Sequence, residues 1–504
     1  MADKSPLFQR RTAGVLLHPT SLPCSETCWG ENSTKAFGTL GKDAYYFVDL
    51  IARAGLRIWQ MLPTGPTQAD MSPYQSISAH AGNPDLISID SLMEKGWIEA
   101  GDLKLVREKS LSYARQQAAL SFYRYLESDS GTETNQQFHA FCSQQQYWLD
   151  DFALFSALRA EFNGSSWNTW PTDLRKRNPD ALNKIRIKLK PAIDATLFEQ
   201  FAFFSQWQAL KQYANQKGIS LFGDMPIFVG HDSADVWAQQ HYFQLDEDGN
   251  PLTVAGVPPD YFSETGQHWG NPHYAWDVMA EDGFQWWLAR LRTQLQLFDL
   301  IRIDHFRGFE AYWEIPGGSH DARLGKWVKA PGEAFLEACF AAYPGLPLVA
   351  ENLGVITEEV EALRNQFELP GMLVLQFAFD GNTNNPHLPH NHTRSDVIYT
   401  GTHDNDTTVG WFETLSDGNR QQVKQYCFNS SDDMPWLLIE AALASVGRMA
   451  IIPMQDFLEL DGGHRMNMPG TTDKNWVWTF SWDQVEPTLA ERIRQLLTAY
   501  NRLS

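Results

Sequence analysis

Cysteine is scarce in this chain: Cys24, Cys28, Cys142, Cys339 and Cys427 are the only five in 504 residues. So few, and an odd number, do not make a disulfide framework, and they fit a reducing cytoplasm. Cys24 and Cys28 are close enough for a metal or redox pair. No second Cys/His pair stands at metal-binding spacing, so two loop thiols is the plainer reading. Basic residues are also in deficit. Forty Lys and Arg against 61 Asp and Glu leave a net charge of -21. Neutralising a phosphate backbone needs clustered cations, which excludes nucleic acid as a partner and disfavours an anionic membrane surface. No stretch approaches the ~18 apolar residues of a membrane span. The opening MADKSPLFQRR lacks the apolar centre of a secretory signal. These absences predict a cytoplasmic protein. Internal repeats and low-complexity segments are missing too.

Aromatic residues, in contrast, are abundant: 19 Trp, 16 Tyr and 30 Phe. Such rings stack on the apolar faces of sugars, although most aromatics in any chain are simply core. A neutral substrate such as a carbohydrate also suits the acidic balance. The length allows about two to four average domains. A single (β/α)8 barrel of ~250 residues can nevertheless grow past ~400 with insertions.

Eight candidate barrel strands recur. They are GVLLHPTSLP from Gly14, LRIWQMLPTGP from Leu56, ISLFGDMPIFVG from Ile219 and LIRIDHF from Leu300, then LPLVAEN from Leu346, MLVLQFAFD from Met372, VIYTGTHD from Val397 and RMAIIPMQD from Arg448. Helical patterns separate many of them, including AYYFVDLIARAG and EEVEALRNQF. This alternation predicts an α/β fold, a (β/α)8 TIM barrel. One domain over residues 1–504 is expected, interrupted by a mainly helical insertion at about 90–195. A second excursion at about 240–277, EDGNPLTVAGVPPDYFSETGQHWGNPHYAW, is rich in Pro, Gly and aromatics. A loop longer than ~15 residues is usually functional or disordered, and its aromatic content disfavours disorder.

Three strand-like runs end in an acid: Asp304, Glu351 and Asp404. Catalytic residues of such barrels sit at those strand ends. Paired carboxylates suit glycosidic-bond chemistry, one attacking the sugar and the other protonating the leaving oxygen. Arg302 and Asp304 share a strand face, so a guanidinium would keep that carboxylate ionised, as a nucleophile requires. A structural ion pair is the alternative. Glu351 follows Leu-Val-Ala; partial burial would raise its pKa toward that of a general acid, and a capping carboxylate is the alternative. His403 and Asp404 stand in THDND, able to bond sugar hydroxyls, with an acidic turn or metal loop as alternatives. Asp224 is a fourth acid at a strand end. Tyr74 lies in the turn-rich MSPYQSISAHAGNP as a stacking platform or a packing residue. So many acids at successive strand ends would be a surplus of buried charge unless used.

At these residues the chain resembles the amylomaltase family, the disproportionating 4-alpha-glucanotransferases of the alpha-amylase-like clan. The resemblance runs through GVLLHPTSLP, MLPTGPT, SPYQSISAHAGNP, GDMPIFV, VPPDYFSETGQHWGNPHYAW, RIDHFRGF, VAENLG, YTGTHDNDT and RMNMPGT. It implies that Asp304 is the nucleophile, Glu351 the acid/base and Asp404 the transition-state stabiliser. It implies that Tyr74, Asp224, Arg302 and His403, with Ser72, hold the sugar that donates its anomeric carbon. Asp260, Tyr261, Phe262, Gln267 and Trp269 fall in the long loop expected over the acceptor side. Maltooligosaccharides and alpha-1,4-glucans are the implied substrates, with no cofactor and no metal. The segment CSETCWGENSTKAFGTLGKDAYYF and the stretch Gln68 to Met71 depart from the family pattern, as do His268 and His273 in the long loop. A hydrolase of the same clan, or a glucan-binding protein on a decayed barrel, are the rival readings. Intact Asp304, Glu351 and Asp404 disfavour the second.

Overall fold

A computed structural model describes residues 6–26, 37–98, 111–128, 131–259, 264–319, 321–427 and 434–503. In chain order its strands are β1 (Thr12–Leu16), β2 (Ile58–Gln60), β3 (Ser220–Met225), β4 (Thr253–Val257), β5 (Gln267–Pro272) and β6 (Leu300–Ile303), then β7 (Ala311–Pro316), β8 (Lys326–Lys329), β9 (Leu348–Ala350), β10 (Met372–Val374), β11 (Val397–Tyr399) and β12 (Met449–Pro453).

Eight of them form one parallel sheet in the order β10-β11-β12-β1-β2-β3-β6-β9. These are the eight strands expected from the sequence. All are buried on both faces, which is why they read as continuous apolar runs rather than alternating ones. Between β9 and β10 the seam is bridged sparsely. The Ala350 amide donates to the Pro370 carbonyl at 2.9 Å, and the Met372 amide donates to Asn352 Oδ1 at 2.8 Å. The sheet is therefore a nearly closed (β/α)8 barrel. Gly14 allows one tight approach: a Cβ there would lie 2.5 Å from Ile58 Cβ and 2.7 Å from Ile451 Cδ1.

Helices cover the outside of the barrel. The helix Lys42–Ala54 buries Phe47, Val48 and Ile51, and it ends at Gly55 with φ 83°, a left-handed stop. Between β2 and β3 lie the long helices Leu111–Leu126, Thr132–Glu161 and Lys190–Gln216. The last runs on without interruption to Gln216, and β3 follows directly at Ser220. Gln200 on this helix exchanges two 2.9 Å hydrogen bonds with the Gly82 backbone. Gln206 does the same for Ser88, at 2.8 and 3.1 Å. These two glutamines fasten the chain that leaves β2, and with it the segment carrying Tyr74.

The long excursion is not a plain loop. β4 and β5 lie in it, and they join β7 and β8 in an antiparallel sheet of order β5-β4-β7-β8. Strands β7 and β8, inserted after Asp304, were not legible in the sequence. They are short, and their charged residues Glu314, Lys326 and Lys329 mask the alternation.

Candidate active site

The strand ends set the geometry. Asp224 and Arg302 are register partners on adjacent β3 and β6. Ile303 pairs with Ala350 across β6 and β9, so Asp304 and Glu351 come next on neighbouring strands. The ladder continues there, with the Glu351 amide donating to the Ile303 carbonyl at 3.0 Å. Adjacent parallel strands lie about 5 Å apart. Asp304 and Glu351 therefore leave the barrel from neighbouring backbone positions.

Arg302 is the hub. Its Nη1 donates to both Asp224 oxygens, at 2.8 and 2.6 Å, and its Nη2 reaches Asp304 Oδ1 at 2.8 Å. The side chain is 5% exposed, and burial alone would lower its pKa. Asp224 first, then Asp304, outweigh that burial and keep the guanidinium firmly charged. The alternation argument placing Arg302 and Asp304 on one face is met by this contact. Asp224 is 1% exposed, so its charge depends on Arg302.

Glu351 is buried and held by two amides. His305 N–H donates to its Oε2 at 2.7 Å and Leu353 N–H to its Oε1 at 2.8 Å. Burial is the largest influence and pushes the carboxyl up to about 7. The Arg302 charge pulls the other way, and the Asp304 charge adds to the rise. A proton is thereby available near neutrality, as a general acid requires.

Asp404 is handled in the opposite sense. The side chain is 47% exposed; desolvation would raise its carboxyl, but the His403 charge and hydrogen bond, with Asn467, hold it at about 2. His403 Nε2 lies 3.3 Å from Asp404 Oδ2, and Asn467 Nδ2 donates to Oδ1 at 2.6 Å. Arg465 Nη2 donates to the Asp404 carbonyl at 3.0 Å. Burial works to discharge His403, and the Asp404 charge prevails and lifts its pKa.

Tyr74 joins the two halves. Its hydroxyl donates to Asp224 Oδ2 at 2.7 Å and meets His403 Nε2 at 2.9 Å. Burial, then the Asp224 charge, raises the phenol well above its usual range. It stays neutral, with one proton to give to Asp224. The remaining bond is one in which protonated His403 donates to the phenol oxygen. The Tyr74 ring stacks on His403 at 5.3 Å and 18°, so it is part of the wall rather than a free platform. Ser72 lies beneath: its Oγ accepts from the Tyr74 amide at 3.3 Å and so shapes the turn.

Of the long-loop residues, Gln267 and Trp269 stand on β5, not in irregular chain. Trp269 Nε1 donates to Gln267 Oε1 at 3.1 Å, and the indole meets His305 edge-on at 4.9 Å. This places Trp269 beside the turn that follows Asp304. Asp260, Tyr261 and Phe262 lie outside the described residues. His268 and His273 part company. His273 is buried against Tyr312 at 4.4 Å, while His268 is exposed.

Three neighbours were not singled out from the sequence: Arg465, Asn467 and Trp476. The first two belong to RMNMPGT, quoted only as a resemblance, and their contacts with Asp404 span more than 60 residues of chain. Trp476 sits 5.8 Å from the Tyr74 ring and 6.0 Å from His403. Its φ of 66°, and the 52° of His305, are left-handed values that bulky residues rarely adopt. Among the described residues no group of three or more His, Cys, Asp or Glu is arranged to hold a metal ion.

Comparison with known proteins identifies the family. Residues 17–484 match the family model described as 4-alpha-glucanotransferase. The 4-alpha-glucanotransferase of Thermus thermophilus is 46% identical over 98% of this chain and 99% of that protein. The one from Synechocystis is 44% identical, again over 98% and 99%. An amylomaltase from Streptococcus agalactiae, solved in complex with acarbose, superposes with a TM-score of 0.91 at 36% identity, covering 98% of this chain and 100% of that one. The chain belongs to the 4-alpha-glucanotransferase family.

Proposed function

We propose that this chain moves a segment of an alpha-1,4-glucan to the 4-hydroxyl of glucose or of another glucan, by a retaining double displacement carried by Asp304 and Glu351. Asp304 attacks the anomeric carbon while Glu351 gives its proton to the departing 4-oxygen. The glucan is then an ester of Asp304. Glu351, now ionised, takes the proton of the incoming 4-hydroxyl, whose oxygen displaces the ester. Two inversions leave the configuration unchanged. Asp404, charged at any physiological pH, faces the positive charge that develops on the sugar. Asp224, Arg302, Tyr74 and His403 hold the donor ring. Neither metal nor cofactor takes part.

One observation carries this reading: neighbouring strand ends present an Arg302-bonded Asp304 and a Glu351 that keeps its proton up to about 7. Those are the two states the first step needs. Hydrolysis by the same residues is the alternative, with water in place of the 4-hydroxyl. Trp269 beside the Asp304 turn favours transfer, because it shields the ester from water. We further read residues 1–504 as one catalytic barrel domain, interrupted at about 90–195 and about 240–277. Free thiols at Cys24, Cys142, Cys339 and Cys427 support a cytoplasmic setting; Cys28 lies outside the described residues.

Maltotriose alone tests the assignment. Transfer yields a ladder of longer maltooligosaccharides plus glucose. Products limited to glucose and maltose, matching water consumed, would assign the chain as a hydrolase.

A further inference from the structure

Two indoles of the small sheet are anchored to the chain that follows Asp304. Trp269, on β5, meets His305. Trp327, on the edge strand β8, lies over the Arg307 guanidinium at 3.8 Å. Arg307 belongs to the single 3-10 turn Phe306–Phe309. Arg307 is three positions after Asp304, so their Cα atoms are at most about 11 Å apart.

Trp327 has the build of a platform. Its register partner on β7 is Trp313, whose ring meets it at 5.1 Å and 67°. Arg307 is only 6% exposed, and its Nη1 donates to the Val355 carbonyl. A desolvated guanidinium holds an aromatic face more firmly than an exposed one does. The indole is thus ordered before any ligand arrives, which lowers the entropy cost of binding. Yet Trp327 remains 39% exposed.

The surroundings are close in sequence to the catalytic strand ends. Val355, itself exposed, lies four residues beyond Glu351. Trp313 Nε1 donates to the Ala322 carbonyl, and a Cβ on Gly266 of the long excursion would come within 3.0 Å of Ala322 Cβ. Trp327 therefore packs on the chain after the nucleophile; Arg307 links it to the chain after the acid/base, and its neighbour Trp313 links it, through Ala322, to the long excursion.

We propose that Trp327 is an outer acceptor subsite, on which a sugar ring of an alpha-1,4-glucan stacks beyond the ring whose 4-hydroxyl is glycosylated. This rests on the glucan-transfer reading above. Glucose is too short to occupy the active centre and Trp327 together, whereas a long maltooligosaccharide spans both. Trp327 then sets a preference for acceptor length without touching the reacting atoms.

The test compares acceptors. With maltosyl fluoride as donor, KM is measured for glucose and for maltoheptaose in the parent, Trp327→Phe and Trp327→Ala. Trp327→Ala should raise the maltoheptaose KM, relative to that for glucose, by about threefold to tenfold, the scale of one aromatic contact. Trp327→Phe should recover most of that loss. A second measurement needs no turnover. Calorimetric binding of maltoheptaose to Asp304→Asn should weaken by the same factor when Trp327→Ala is added. An unchanged KM ratio with unchanged binding overturns the subsite. So does a parallel loss for both acceptors, which would make Trp327 a support for the sheet. A parent that releases only hydrolysis products would instead refute the transfer reading, and the Asp304→Asn titration would still decide Trp327.

Discussion

Arg302 Nη2 stands 2.8 Å from Asp304 Oδ1, while the other arm of the same guanidinium grips Asp224. One cation therefore serves two carboxylates of unequal exposure, 28% for Asp304 and 1% for Asp224. The two ends of this arrangement should fail differently.

Arg302→Ala removes the largest of the influences that favour the Asp224 charge, leaving His403 and the Tyr74 hydrogen bond. Stranding a buried carboxylate costs about 3–5 kcal/mol. The variant should lose activity and unfold at a clearly lower temperature. Asp304→Asn leaves the Arg302–Asp224 pair intact, so it should abolish turnover with little change in melting temperature. A calorimetric scan of both variants checks this. A large drop for Asp304→Asn with activity surviving below the transition would return Asp304 to a structural ion pair.

Glu351 sets a pH limit. Its carboxyl titrates near 7 in the folded protein, above the ordinary value of 4.5. The first step needs the protonated form, so kcat/KM for maltotriose should fall as pH rises through about 7. The same shift affects stability. Between 4.5 and about 7 the folded state binds the proton that the unfolded state has lost, so stability falls as pH rises across that window. Above it the penalty is constant, on the order of 3 kcal/mol. Glu351→Gln should accordingly be more stable than the parent at pH 8, with the advantage fading toward pH 5. Denaturant unfolding at the two pH values measures it.

On the proposed reading Trp269 guards the ester. Trp269→Ala should raise the ratio of free glucose to transferred glucan by several-fold, while glucosyl-fluoride consumption continues, because Asp304 and Glu351 come from barrel strands. Aromatic contacts of this kind are worth about 0.5–1.5 kcal/mol. If the indole only supports the sheet, the melting temperature drops and the product ratio at a permissive temperature matches the parent.

The barrel was legible because a strand buried on both faces must be written as an apolar run, and each of the eight runs stops where it meets solvent. Asp304, Glu351 and Arg302 were legible for the same reason, standing at or beside those stops. The small sheet was not. Its strands are half exposed, and β5 carries Gln267, His268 and Asn271 amid Gly and Pro, so composition suggested loop. Asn467, Arg465 and Trp476 reach the site from one late segment, across distances that no periodicity encodes. Their register was set by tertiary contacts with Asp404 and Tyr74.

The most direct measurement is to trap the ester. Glu351→Gln cannot protonate a sugar leaving group, but fluoride departs without that help. Nor can it deprotonate an acceptor, so the intermediate should accumulate. Incubated with alpha-glucosyl fluoride, digested at low pH and analysed by mass spectrometry, this variant should carry one glucosyl group on the peptide containing Asp304. The Glu351→Gln/Asp304→Asn pair should carry none. An adduct on a different residue, or fluoride release that inverts the anomeric configuration without any adduct, would contradict double displacement through Asp304.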